Sequence, residues 1–128
     1  MYEVTVTDHI SASHHLLGYR GKCENVHGHN YRVEATASAT ALDERGLAID
    51  FGDLRARLRR VVERFDHRDL NALPAFADCN PSSENLARIL FQQLAEELAG
   101  LEVRLEHIRV WETEGSFVTY RPGPGHRV

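Results

Sequence analysis

The chain has 128 residues, a formal net charge of −4 at pH 7 and 42% hydrophobic residues. This length suits one domain, which we place at residues 1–121 with a frayed tail at 122–128. The acidic balance disfavours nucleic acid as the main partner, and no stretch has the apolar length of a membrane span. Because the first residues lack the basic flank and apolar run of a signal peptide, we expect a cytoplasmic protein in which Cys23 and Cys79 are free thiols.

The first predicted element is a strand. Apolar and polar residues alternate over residues 2–10, and successive side chains of a strand point to opposite faces. If the alternation continues, His14 falls on the apolar parity whereas His15 points the other way, so His14 is the better candidate for a ligand. Residues 17–26 have no period and contain two glycines, which predicts a loop.

A second strand is predicted over residues 29–40, where the alternation is cleaner. His27 and His29 share the parity of its apolar residues. Since side chains repeat every second residue, the two imidazoles are expected to point to the same side.

Two amphipathic helices and two further strands complete the pattern. The first helix is predicted over residues 54–65, and we interpret its many arginines as a solvated face rather than a membrane or nucleic-acid patch. The second begins after a Ser82 or Ser83 cap. With strands at 103–113 and 117–121, and a loop between the helices, we predict an α+β domain: an antiparallel four-stranded sheet with two helices on one face.

The histidines suggest a metal site. Together, His14, His27 and His29 supply three nitrogen ligands, the number that catalytic zinc sites commonly use while leaving a fourth position open. Two other interpretations stay open at this point. The histidines could be polar residues at strand ends without a metal, or Cys23 could be the fourth ligand of a structural zinc.

Other residues could carry proton transfer or bind a ligand. Cys23 lies beside Lys22 and could act as a thiolate base or nucleophile. The adjacent Asp66 and His67 could form a proton-transfer pair, or simply cap a helix end. Glu112 shares the parity of apolar strand residues, so its carboxylate would need a partner with N–H groups unless it turns to solvent.

The ordered set of motifs resembles the family of 6-pyruvoyltetrahydropterin and 6-carboxytetrahydropterin synthases. The resemblance covers nearly the whole chain. The motifs are Ser-Ala-Ser-His14, Cys23-x-x-x-His27-Gly28-His29, Ile49-Asp50-Phe51, Asp66-His67-Arg68-Asp69-Leu70-Asn71, Asn80-Pro81-Ser82-Ser83-Glu84-Asn85 and Trp111-Glu112-Thr113.

This resemblance implies a tunnelling fold, in which the sheets of several subunits join into a barrel, usually in a homohexamer with active sites between subunits. It also implies roles for individual residues. Zn²⁺ would be held by His14, His27 and His29, and Cys23 would be the catalytic thiol with Asp66 and His67 as its partner dyad. Glu112 would anchor the pterin ring, and Ser82, Ser83 and Glu84 would complete the pterin pocket.

The implied substrate is a small molecule, 7,8-dihydroneopterin triphosphate. The three residues between Cys23 and His27 resemble the branch that makes 6-carboxy-5,6,7,8-tetrahydropterin with release of acetaldehyde and triphosphate, for queuosine and other deazapurines. Glu24 resembles a different branch, which cleaves the side chain to a folate precursor. The alternatives are therefore a pyruvoyl or folate-precursor outcome on the same substrate, or a non-catalytic, zinc-stabilised barrel subunit that binds a pterin or purine.

Overall fold

A computed structural model describes residues 1–18 and 24–123 of the chain. Five strands form one sheet in the order β3-β1-β2-β4-β5, and two helices pack on one of its faces. The elements are β1 (Tyr2–His14), β2 (His27–Ala39), α1 (Phe51–Val62), β3 (Arg68–Asp69), α2 (Ser83–Glu97), β4 (Arg104–Thr113) and β5 (Ser116–Tyr120).

The pairing of β1 with β2 is the longest in the sheet. The two strands are antiparallel, and thirteen residue pairs run from Tyr2 opposite Ala39 to His14 opposite His27. Val6 and Ile10 of β1 and Tyr31 and Val33 of β2 are buried. The predicted alternation is therefore confirmed in both strands, and it places the histidines at one end of the apolar face.

Each helix begins at a side-chain cap. The Asp50 carboxylate accepts the backbone N–H of Asp53, so α1 starts three residues before the predicted position and ends at Val62. Ser82, not Ser83, is the cap of α2, because its hydroxyl accepts the N–H of Asn85. The predicted apolar stripes of both helices are buried. The stripe of α1 and the residues just after it consists of Leu54, Leu58, Val61, Val62 and Phe65, and that of α2 and the residue after it consists of Leu86, Ile89, Leu90, Leu94 and Leu98.

The predicted four-stranded antiparallel sheet is wrong in one respect. A fifth strand, β3, lies in the segment predicted to be a loop, and its two residues pair in parallel with Ala12 and Ser13 of β1. Two residues are too few to show a period of two, so no alternation could reveal this strand.

Several arginines of α1 and of the turn after it bind Glu97. Glu97 at the end of α2 accepts Arg60 and Arg64 on its carboxylate and Arg57 on its backbone carbonyl. Positive charge at the carboxyl end of a helix interacts favourably with the negative end of the helix dipole. The last turn of α2 has no basic residue of its own, so α1 and the turn that follows it supply these charges. No helix of the described residues is long and apolar enough to cross a membrane.

The sheet face opposite the helices is polar but partly buried. The hydroxyls of Thr5 and Thr36 lie 2.6 Å apart, and His107 pairs with Thr36 on this face with only 9% of its surface exposed. Burial lowers the pKa of His107, the charges of Arg121 and Arg109 lower it further, and Glu3 and Glu106 oppose the shift.

This lowered pKa predicts a pH-dependent contribution to stability. Between the folded pKa and the ordinary value of about 6.5, the unfolded chain binds more protons at His107 than the folded chain, so the free energy of unfolding rises with pH in that window. Urea denaturation at pH 5.5, 6.5 and 7.5 should show that His107→Gln loses part of the decline in stability that the parent protein shows on acidification. His9→Gln, at an exposed position on the same face, is the control. Equal pH slopes for His107→Gln and the parent would contradict this expectation.

Candidate active site

Three histidines meet at the end of the β1–β2 pair. His14 lies directly opposite His27, and His29 lies opposite Ala12, two residues further along the same face. Because directly opposite residues in an antiparallel pair have neighbouring side chains, one ligand nitrogen from each of His14, His27 and His29 lies within 4.8 Å of the others. His15 is not part of this cluster, so the geometry favours His14 as the parity predicted.

Two backbone carbonyls orient two of the imidazoles. His14 Nδ1 lies 2.7 Å from the Pro81 carbonyl oxygen, and His27 Nδ1 lies 2.6 Å from that of Asn25. A carbonyl only accepts, so each Nδ1 must donate, and each neutral ring then carries its lone pair on Nε2. These two Nε2 atoms lie 2.9 Å apart. Facing lone pairs require a cation or a shared proton, so the three histidines could bind a metal.

The electrostatics of the cluster also suit a metal. Burial lowers the pKa of His29, and the neighbouring His14 and His27 lower it further, although Glu112 opposes them. A lowered pKa keeps the imidazole neutral, which is the form that binds metals. His29 Nε2 is buried with no hydrogen-bond partner among the described residues.

A buried tyrosine that the sequence analysis did not single out closes the inner side of the cluster. The Tyr31 hydroxyl lies 3.2 Å from His14 Nδ1, and the side chain is fully buried. Burial raises the pKa of Tyr31, and the negative charge of Glu112 adds to the shift, so the phenol stays protonated. Its position two residues after His29 on the same parity was the available signal.

Glu112 lies on the predicted face but among different neighbours. Its Oε1 is 3.4 Å from His29 Nε2 and 3.6 Å from His14 Nε2, and its side chain is 35% exposed. The carboxylate was expected in apolar surroundings, but imidazoles and solvent surround it instead. The pairing of β4 with β5 is irregular between Trp111 and Thr113, which frees this residue from the ladder.

A small cavity adjoins Glu112. It has a volume of about 220 Å³ and is lined by Leu16, Ser82, Ser83, Glu84, Glu112, Ser116, Phe117 and Val118. The structure thus brings the predicted Ser82–Glu84 segment and the predicted acid together. The Ser83 hydroxyl is buried and has no hydrogen-bond partner among the described residues.

Asp66 and His67 are fixed to the edge of β1, three residues before His14. Ser11 donates its N–H to Asp66 Oδ1 at 2.8 Å and accepts the N–H of His67 at 2.6 Å. The His67 Nδ1 lies 3.2 Å from the same Asp66 oxygen, and the other oxygen accepts Arg59 Nη2 at 3.0 Å. No sequence pattern indicated this role of Arg59, which also binds Asp8.

These contacts set the charge and the exposure of the pair. Burial raises the pKa of Asp66, but the hydrogen bonds from Ser11 and Arg59 and the charge of His67 outweigh burial and hold the pKa below its usual range. His67 has a left-handed backbone, with φ of 59°, and a side chain that is 82% exposed. A non-glycine residue in this region is uncommon and often functional. The carboxylate is thus anchored while the imidazole reaches outwards.

Of the two cysteines, the structure describes only Cys79, which is not part of the metal cluster. Cys23, predicted to be the catalytic thiol, lies outside the described residues, as does Lys22. Cys79 is a free thiol and is partly buried against the core.

Comparisons with known proteins extend over nearly the whole chain. A family model described as 6-pyruvoyl tetrahydropterin synthase matches residues 3–123. A protein of Archaeoglobus fulgidus, provisionally named 6-carboxy-5,6,7,8-tetrahydropterin synthase, is 37% identical over 118 residues, which is 92% of this chain and 94% of that protein. The 6-pyruvoyl tetrahydrobiopterin synthase of Dictyostelium discoideum is 32% identical over 103 residues, covering 79% and 74%.

The fold agrees with these relatives. The structure of the Caenorhabditis elegans 6-pyruvoyl tetrahydropterin synthase superposes with a TM-score of 0.86 at 26% identity, covering 95% of this chain and 96% of that one. The family model over residues 3–123 and the 37% identical relative confirm the resemblance that the motifs indicated: this chain belongs to the 6-pyruvoyl tetrahydropterin synthase family.

Proposed function

We propose that this protein is a zinc-dependent lyase that converts 7,8-dihydroneopterin triphosphate to 6-carboxy-5,6,7,8-tetrahydropterin, releasing acetaldehyde and triphosphate, in the biosynthesis of queuosine and other deazapurines. The observation that carries the proposal is the cluster of His14, His27 and His29, whose ligand nitrogens lie within 4.8 Å of one another. A three-nitrogen set leaves a position for substrate, and a nitrogen-only donor set suits zinc. Zn²⁺ held there would supply a Lewis acid that acidifies hydrogens on carbon next to a substrate oxygen.

The remaining residues would bind the pterin and move protons. Glu112 is partly exposed beside the cavity, where a carboxylate can accept two adjacent N–H groups of a pterin ring. Ser82, Ser83 and Glu84 line the same cavity. We assign Cys23 as the base that removes a proton from the substrate side chain, and Asp66 with His67 as the pair that carries protons to and from it.

A site between subunits is part of the proposal. His67 is largely exposed, whereas His14 is buried against the Pro81 carbonyl in the segment before α2. Among the described residues, β5 pairs only with β4, and β1 pairs on its outer side only at Ala12 and Ser13. Open edges of this kind are available to a second sheet. A homo-oligomer, as the family resemblance implies, would pair these edges and bring His67 of one copy towards a neighbouring site.

The histidine cluster predicts how many zinc ions the protein binds and which substitutions weaken that binding. The purified protein should bind one Zn²⁺ per chain, and His14→Ala, His27→Ala and His29→Ala should each weaken binding by more than the roughly 10- to 100-fold that outer-shell changes cost. Competition with a chromophoric chelator at pH 7.5 measures the affinity. His15→Ala is the matched control, since it removes the neighbouring imidazole outside the cluster. Zinc loss in His15→Ala with retention in His14→Ala would overturn the assignment.

The reaction itself can be tested on the zinc-loaded protein. Incubation with 7,8-dihydroneopterin triphosphate should give 6-carboxy-5,6,7,8-tetrahydropterin by mass spectrometry, with acetaldehyde and triphosphate in equal amounts. A pyruvoyl product without acetaldehyde, or a hydroxymethyl pterin as Glu24 suggests, would leave the assignment of the site intact but place the protein in another branch of the family. A folded zinc protein without turnover would favour the non-catalytic subunit that binds a pterin or purine.

Cys23 separates a catalytic thiol from a structural ligand. Cys23→Ala should stay folded and bind Zn²⁺ with unchanged affinity, and it should lose turnover by at least about 100-fold, the lower range for a general base. Cys79→Ala is the control, because it removes a thiol next to the core and should leave turnover unchanged. If Cys23→Ala loses zinc and unfolds at lower urea concentration, the thiol is instead a ligand of a structural site.

A further inference from the structure

We propose that Asn71 and Asn80 are positioning residues for the metal ligand His14, acting as two amide clamps on the segment that follows it. The inference rests on the metal site of the proposed function and deepens it. It concerns residues that contact the backbone around His14 and not the metal or the substrate.

Each clamp is a reciprocal pair of hydrogen bonds with one residue. Asn71 Oδ1 accepts the His15 N–H at 2.9 Å, and Asn71 Nδ2 donates to the His15 carbonyl at 3.1 Å. Asn80 Oδ1 accepts the Leu17 N–H and Asn80 Nδ2 donates to the Leu17 carbonyl, both at 2.9 Å. A side-chain amide thus takes the place of a neighbouring strand where β1 has ended. Only an amide offers a donor and an acceptor at this spacing.

The first clamp acts on the peptide directly after His14. β1 ends at His14, so ladder hydrogen bonds no longer fix the next residue. Asn71 is itself held, because its N–H donates to the Asp69 carboxylate and Asp69 belongs to β3, which pairs with β1. Asn71 therefore extends the order of the sheet past the ligand.

The second clamp acts on the segment that contacts the His14 ring. Asn80 precedes Pro81, whose carbonyl accepts the His14 Nδ1–H and so fixes the tautomer and the ring plane. Asn85, in the first turn of α2, donates to the Asn80 carbonyl at 2.8 Å. Asn80 thereby ties the segment before α2 to Leu17, and the Pro81 carbonyl is held against a ligand 67 residues away in sequence.

Zinc affinity tests the positioning role. Asn80→Ala should raise the zinc dissociation constant about 10- to 100-fold, as loss of an outer-shell partner does, and Asn71→Ala should raise it as well. Urea denaturation first shows that each variant is folded. Affinity is then measured by chelator competition at pH 7.5 in the absence of urea. Gln93→Ala is the control, since it removes an amide of α2 that accepts Arg64 and contacts no residue of either clamp, and it should leave zinc binding unchanged.

A double-mutant cycle separates positioning from a general loss of structure. If Asn80 acts through His14, Asn80→Ala should have no further effect on the weakened Zn²⁺ binding of a His14→Ala protein. The proposal would be overturned if Asn80→Ala raised the zinc dissociation constant by the same factor with and without His14. Unchanged zinc affinity in both single variants would also overturn it. Should Asn80→Ala fail to fold, Asn71→Ala, which leaves Pro81 alone, is tested in the same cycle.

Amide hydrogen exchange in the metal-free protein reads the clamps directly. The Leu17 N–H should exchange faster in Asn80→Ala and the His15 N–H faster in Asn71→Ala, while the amides of Val33 and Ala35 in β2 stay protected. Unchanged exchange at Leu17 and His15 would show that the clamps do not hold the backbone. If the parent protein binds no zinc, the proposed function fails and the positioning role fails with it, whereas a loss confined to the variants concerns the clamps alone.

Discussion

The register between β1 and β2 is the constraint on which the site depends. A slip of one residue would turn every side chain of a strand to the opposite face, and it would bring Val6, Ile10, Tyr31 and Val33 out of the core. The register that buries these residues also places His14 opposite His27. The metal-binding geometry is therefore maintained by the packing of the whole sheet against the helices, and not by the few residues around the histidines.

This dependence explains how much the sequence revealed. The alternation in β1 and β2 and the apolar stripes of α1 and α2 are local patterns that repeat over ten or more residues, so the elements, their buried faces and the shared parity of the three histidines could all be predicted. Two-residue β3 has no period, and its parallel pairing with Ala12 and Ser13 depends on where the chain goes after α1. His67 likewise combines a left-handed backbone with a hydrogen bond to Ser11, which is distant in sequence.

Polar side chains account for most of what could not be predicted at the site. A side-chain amide or carboxylate can bind any backbone group within reach, so its partner is set by tertiary structure and not by sequence spacing. Tertiary structure sets the partners in this way for Asn80, which binds Leu17, and for Arg59, which binds Asp66. Glu112 was placed on the correct face by parity, yet the irregular end of β4 put it beside imidazoles. The role of Cys23, in a segment outside the described residues, stays a prediction.

Burial of the histidines has opposite consequences for folding and for binding. In the folded chain, burial disfavours the protonated form of His29 and so lowers stability at acid pH. The same shift keeps the imidazole neutral and available as a ligand near neutral pH. Because the carbonyls of Pro81 and Asn25 accept the Nδ1 protons, the facing Nε2 atoms of His14 and His27 repel each other without a cation. A bound metal ion would relieve this repulsion, and its binding energy would then add to the stability of the β1–β2 pair that created the site.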